Sequence, residues 1–288
     1  GRLQPAKGLR NPHRSDDIQV YGLRDMFFFY TFFYDIYTAC DAQGIPLESA
    51  ISEYAAGQFE ITLRHRPDAL RACDEATMYK RLVKGVAVKH GMEATFMAKP
   101  FADCAGNGMH LHISMQDEAG NNAFASAAPE GTPLLRHAIG GMQAALGDSF
   151  AIFAPNANSY RRFNNRTVSL RIPAGSPSSR HVEHRVCGAD ANPYLAVAAV
   201  LAAMHHGITN QLDPGPAVVG NGYEAESNGP KMPSNWFAAV DQFKGSALMK
   251  EYLGERFVEM YSIVKQTEQE RFFALVPELD YTWYLRNA

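Results

Sequence analysis

Four short segments alternate apolar residues with reactive ones, and this alternation constrains the fold of the chain more than any other feature. Successive strand residues point to opposite faces of a sheet. Over 58–63, Gln58, Glu60 and Thr62 share one face, and Phe59, Ile61 and Leu63 share the other. Over 109–113, Met109, Leu111 and Ile113 leave His110 and His112 together on the opposite side. Thr167, Ser169 and Arg171 oppose Val168, Leu170 and Ile172, and His181, Glu183 and Arg185 oppose Val182, His184 and Val186. Four strands that set an apolar face against carboxylates, imidazoles and guanidiniums predict an α+β fold. Its mainly antiparallel sheet spans 46–190 and curves into a half-barrel, with helices packed outside and a polar funnel on the other face.

Punctuation by Gly, Pro and capping residues places the remaining elements. Residues 1–20, broken by Pro5, Pro12 and several glycines, form an irregular lead-in to one domain over 21–288. Helices are predicted from Asp25 to Gly44, from about Asp68 to His90 before Gly91, from Pro133 to about Leu146, and from Pro193 to Gly207 behind Asn192 as N-cap. Glu93–Lys99 reads as a further strand, Asp213–Ser234 as loop, and one or two helices close the chain. The aromatic run Phe27–Tyr37 reads as core or subunit interface, and His205-His206 as a pair at a helix end with no chemistry of its own.

Bulk properties exclude several function classes. Of the 288 residues, 46% are hydrophobic, enough for a large core, and a net charge of -3 supplies no field for a polyanion, so nucleic acid is excluded as a main partner. Cys40, Cys73, Cys104 and Cys187 form no C-x-x-C pair, which predicts free thiols and a reducing, cytoplasmic setting. The longest apolar run, Met26–Tyr34, is about nine residues against the roughly 20 of a membrane span. A chain that opens on Gly1 without a segment bearing its own core is expected to have lost an upstream part.

Carboxylates and imidazoles grouped on one face suit Mg²⁺ or Mn²⁺, which take oxygen-rich ligand sets and keep positions open for phosphate. The arginines suit carboxylate and phosphate groups, which their planar forks bind in pairs of hydrogen bonds. Glu53 and Glu60 stand an odd seven positions apart, so a bend or bulge at Ala55-Ala56-Gly57 is required if both are to face one site.

Six ordered motifs over 53–195 carry a resemblance. They are Glu53-Tyr-Ala-Ala-Gly-Gln-Phe-Glu60, Ala94-Thr-Phe-Met-Ala-Lys-Pro100, Gly106-Asn-Gly-Met-His-Leu-His112, Asn158-Ser-Tyr-Arg-Arg162, Asn165-Arg-Thr-Val-Ser-Leu-Arg-Ile-Pro173, and Glu183-His-Arg185 with Asn192-Pro-Tyr-Leu195. In this order they resemble the catalytic domain of the glutamine synthetase family. The resemblance implies that Glu53 and Glu60 hold one divalent ion and His110 and Glu183 a second. It implies Arg162, Arg185 and Gly106 at the glutamate substrate, Arg166 and Arg171 at the phosphates, His112 and Ser114 at the nucleotide, and Arg162, Arg166 and Arg185 as the catalytic arginines. The implied reaction moves the γ-phosphoryl group of ATP to the glutamate γ-carboxylate, after which an amine or ammonia attacks the acyl phosphate. The implied assembly is a large homo-oligomer, a dodecamer. The wording of 183–194 is closer to the polyamine-ligase branch than to the ammonia-using enzymes.

Three departures accompany the resemblance. The family's Glu-x-Glu metal strand would precede residue 1, and the tripeptide Glu224-Ala-Glu226 here, which has that form, falls in the predicted loop. The family has a flap where Phe163 and Asn164 here join Arg162 to Asn165, so a break in the chain is expected at that step. His181 stands where the family has an arginine near the nucleotide. These departures keep open a non-catalytic relative with the same fold. A zinc hydrolase built on His110, His112 and Glu183 is the third alternative, against which the four arginines weigh.

Overall fold

The computed structural model describes residues 4–6, 19–160, 169–218 and 232–286. Its elements are α1 (Leu23–Phe28), α2 (Tyr30–Ala42), β1 (Leu47–Ser52), β2 (Phe59–Leu63), α3 (Ala69–Lys89), β3 (Leu111–Ile113), α4 (Pro133–Ala144), α5 (Phe150–Phe153), α6 (Ala157–Tyr160), β4 (Leu170–Arg171), β5 (Val182–His184), α7 (Pro193–Thr209), α8 (Trp236–Gly245), α9 (Ala247–Leu253), α10 (Glu255–Phe273) and α11 (Glu278–Tyr284). The fold is α+β, and every strand pair among the described residues is antiparallel. The pairing runs in two pieces, a β1–β2 hairpin and a three-stranded sheet in the order β3-β5-β4.

Local chemistry explains the long helices. Asp68 accepts from the Arg71 N–H at the start of α3, Thr132 from Leu135 N–H at α4, and Asn192 from Tyr194 and Leu195 N–H at α7, with prolines at the first turns of α4 and α7. The predicted Asp25–Gly44 helix is interrupted at Phe29 (φ -91°, ψ 18°), although Phe29 N–H still donates to Asp25 and Phe33 N–H to Phe29. A local twist therefore divides an otherwise continuous helical run.

Two predicted elements differ. Glu93–Lys99 makes no ladder, and at its C-terminal end side-chain amides take up the backbone groups instead. Asn107 Nδ2 donates to the Met97 carbonyl, and Asn158 both accepts from Lys99 N–H and donates to the Lys99 carbonyl. Beyond residue 232 the described chain forms four helices where one or two were expected.

The interior divides into two hydrophobic clusters. The smaller gathers Phe29, Phe33, Ile36, Val83 and Ala87 over the apolar side of the hairpin. The larger runs from Phe124 to Val258 and centres on the crossing of α4 and α7. Gly141 and Gly207 permit that crossing: a Cβ on Gly141 would lie 2.0 Å from the Ala203 carbonyl oxygen, and one on Gly207 2.2 Å from that of His137.

Candidate active site

The site starts from β5, whose alternation works as the sequence implied. Val182 is fully buried in the larger core, and His184 faces the same side, its ring centroid 4.5 Å from that of Phe153. Glu183 therefore points the other way. In the ladder it stands between His112 of β3 and Arg171 of β4, forming one lateral row across three strands.

Glu183 is only 1% exposed, yet polar groups surround its carboxylate. Arg171 Nε donates to Oε2 at 2.5 Å and Arg185 Nη1 to Oε1 at 2.5 Å, while His110 Nδ1 lies 3.2 Å and His112 Nε2 3.9 Å from Oε1. Burial alone would raise this carboxyl, but the His110 hydrogen bond and the Arg185 and Arg171 guanidiniums outweigh it and hold it at about 2. His112 Nδ1 is 2.9 Å from His181 Nε2, and His181 Nδ1 is 2.7 Å from the Ser179 carbonyl oxygen. Burial, followed by the neighbouring His181, His110 and Arg171, depresses the His112 imidazole despite the pull of Glu183. Ser114 is exposed just past the end of β3.

Glu53 and Glu60 come from the other sheet. The bend between them is the hairpin turn itself: Glu53 N–H donates to the Gln58 carbonyl, Gln58 N–H to that of Ala55, and Gly57 adopts φ +68°. A single bulged strand is thus not required, and Glu60 lies in the ladder opposite Ile51. The Glu60 carboxyl is exposed, yet it is raised, first by the protein that displaces its solvent and then by the charges of Glu53 and Glu183. Glu53, Glu60 and Glu183 therefore share one electrostatic environment, although no group of three His, Cys, Asp or Glu among the described residues is arranged to hold a single metal ion. The donor set of three carboxylates and the His110 imidazole fits a hard divalent cation, which would relieve the like-charge crowding at Glu60.

Gly106, Arg171 and Arg185 are also described. Arg162, Arg166, the Phe163–Asn164 step and Glu224-Ala-Glu226 lie outside the described residues. Sequence reasoning missed Asn107 and the use of Gln58. The Gln58 amide Nε2 donates to the Gly106 carbonyl at 3.1 Å and to Asn107 Oδ1 at 2.8 Å, and its Oε1 accepts from Ala55 N–H. Side-chain bonds to loops have no period, so the available signal was only the place of Gln58 between the two glutamates.

A family model described as the glutamine synthetase catalytic domain matches residues 1–284. The chain belongs to the glutamine synthetase family. It is 42% identical to the gamma-glutamylputrescine synthetase of Escherichia coli K12 over 302 aligned positions, which take in 100% of this chain and 64% of that protein. Since the chain has 288 residues, the relative carries residues without a counterpart here. A glutamate–isopropylamine ligase of a Pseudomonas species is 36% identical over 84% of this chain and 56% of its own length. The chain thus spans less than two thirds of the length of these curated relatives. Among solved structures, apo GmaS without ligand superposes with a TM-score of 0.86 at 29% identity, covering 96% of this chain and 68% of that one, and a GmaS/ADP complex superposes with 0.85 at 28% identity over the same shares. Glutamine synthetase family enzymes depend on ATP and divalent metal ions. No helix among the described residues is long and apolar enough to cross a membrane.

Proposed function

We infer that this chain carries the catalytic chemistry of an ATP-dependent ligase that joins the glutamate γ-carboxylate to an amine through a γ-glutamyl phosphate. The observation that carries the reading is the row His112–Glu183–Arg171 on three adjacent strands, flanked by His110 and Arg185 and electrostatically coupled to Glu53 and Glu60. This row supplies ligands for divalent cations and guanidiniums for anions on one face.

Glu53 with Glu60, and His110 with Glu183, would hold the two Mg²⁺ or Mn²⁺ ions, which when bound supply neutralisation of phosphate and carboxylate charge. Arg185, with Arg162 and Gly106, binds and orients the glutamate. Arg171, with Arg166, steadies the phosphates, and His112 and Ser114 contact the nucleotide. In the first step a γ-carboxylate oxygen forms a bond to the γ-phosphorus of ATP as the bond from that phosphorus to the β-γ bridging oxygen breaks, leaving ADP. The arginines hold the two anions in line for this transfer. In the second, the amine nitrogen bonds to the acyl carbon, phosphate leaves with the C–O electron pair, and the nitrogen gives up its proton to solvent water.

Two of the relatives above are named for amine substrates, which supports an alkyl amine or polyamine over ammonia as acceptor. The same family reading includes assembly into a large homo-oligomer, a dodecamer. The four cysteines, none of them in a C-x-x-C pair, support a reducing, cytoplasmic setting. The deciding experiment is phosphate release by the chain with ATP, glutamate, Mg²⁺ and a panel of putrescine, monoamines, ethanolamine and ammonium. Turnover highest with an amine is expected. Turnover with ammonium alone makes it a glutamine synthetase, and no turnover with any acceptor favours the non-catalytic relative.

A further inference from the structure

The two halves of the site lie on separate sheets. Glu53 and Glu60 belong to the β1–β2 hairpin, while His110 and Glu183 belong to the loop and strands around β3 and β5. No ladder joins the two sheets among the described residues, so some other contact must set the distance between the paired ligands. Side-chain hydrogen bonds from the hairpin to the segment that carries His110 come, among the described residues, from Gln58.

We propose that Gln58 is a positioning residue that locks the glutamate-bearing hairpin to the His110 segment and so sets the spacing of the two metal-ligand pairs; this rests on the functional reading above. Its amide is fully committed. Oε1 accepts from Ala55 N–H inside the turn, and the two Nε2 hydrogens go to Gly106 O and Asn107 Oδ1. The opposite amide orientation would set Oε1 against two acceptors, so the network fixes the side chain in one sense. Asn107 in turn is immobilised from three sides: its Nδ2 donates to the Met97 carbonyl, its N–H to Ala98, and its carbonyl accepts from Ala189 N–H. The next residues along the chain, Gly108 and Met109, bond to the segment just after β5, with Met109 N–H donating to Cys187 and Gly108 bridging Gly188. One side chain thus ties the hairpin to the loop that leads into His110, and that loop is itself bonded to the segment just after β5. Gln58 also pins Gly106, placed above at the substrate. Gly57 lets the turn close: its φ of +68° directs the chain so that Gln58 follows immediately, and a Cβ there would lie 2.5 Å from the Ala6 carbonyl oxygen.

The test compares the full chain with Gln58→Met, which keeps the length of the side chain and removes its hydrogen bonds, and with Gln58→Ala. Mn²⁺ uptake is followed by loss of the free-ion paramagnetic resonance signal, and hairpin order by hydrogen exchange. The expected result is a rise of about tenfold in half-saturating Mn²⁺ for both variants, with similarly faster exchange of the Glu53 and Gln58 amides and unchanged exchange along α7. Raising Mn²⁺ should restore the ligase rate of Gln58→Met to within about threefold of the parent, which a general loss of folding would not allow. Unchanged Mn²⁺ uptake in Gln58→Met overturns the proposal whatever the hairpin amides do. Glu60→Gln separates the two levels of argument. If the parent takes up no more Mn²⁺ than Glu60→Gln, the metal reading itself fails and this inference with it. If Glu60→Gln loses the ion while Gln58→Met keeps it at the parent's affinity, only the role of Gln58 fails.

Discussion

The strand partners of Glu183 show how one buried carboxylate can be kept charged. Transfer from water disfavours the anion, and two guanidiniums with an imidazole more than offset that cost. Its folded pKa lies at about 2, below the ordinary 4.5, so its stabilising effect is fully present above 4.5 and is lost as pH falls towards 2. In the metal-free chain we expect Glu183→Gln to lose about 2 kcal/mol at pH 7, because half-exposed arginines screen the pair, and to show a flatter dependence of stability on pH between 4.5 and 2. Urea titrations across that range measure both. The thiols give a second prediction at this scale. Cys40, Cys73 and Cys187 are buried, and burial, followed by the charge of Asp41, pushes the Cys40 thiol up to about 11. At pH 8 a disulfide reagent should modify Cys104 first and leave Cys40 unreacted until the chain unfolds, as peptide mapping would show. Residues such as His110, Glu183 and Arg185 were legible beforehand because strand alternation assigns them a face. Gln58 and Asn107 were not, because their partners lie in loops far along the chain.

Elements were legible where hydrogen bonding is local and less so where it is not. Asp68, Thr132 and Asn192 cap the helices they precede, as their identity implies. Glu93–Lys99 has the alternation of a strand, but Asn107 and Asn158 occupy backbone groups at its C-terminal end, which no local pattern shows. The paired glycines of α4 and α7 were also silent in the sequence. Each resembles a weak spot in a helix, yet together they allow backbone contact at the centre of the larger core. Gly141→Ala should therefore reverse the usual gain from replacing a helical glycine. We expect a loss of about 3 kcal/mol in thermal or urea unfolding as the helices are forced apart, whereas Gly85→Ala on α3, with open space at its Cβ, should be neutral or stabilising.

The whole molecule leaves large apolar groups on its surface. Phe27, Tyr30 and Tyr34 stand out from the same aromatic run whose Phe32, Phe33 and Ile36 are buried, so this run, read from sequence as core or interface, divides between a buried and an exposed side. Phe273, Leu275 and Trp283 are exposed at the other end of the chain. Contiguous exposed apolar area is a feature of association surfaces, so self-association is the expectation to test. Light scattering should give a mass well above the 31.8 kDa of one chain, and Phe27→Glu with Tyr34→Glu should lower it.

The two hydrophobic clusters have a temporal consequence. Every member of the smaller cluster lies between Phe29 and Ala87, and every member of the larger between Phe124 and Val258. A chain emerging from the ribosome can therefore close the first while most of the second is still being made. The hairpin glutamates would then wait, correctly shaped, for His110 and Glu183 to arrive. A nascent chain stalled before β5 would carry the hairpin glutamates without Glu183, the carboxylate whose charge reaches Glu60.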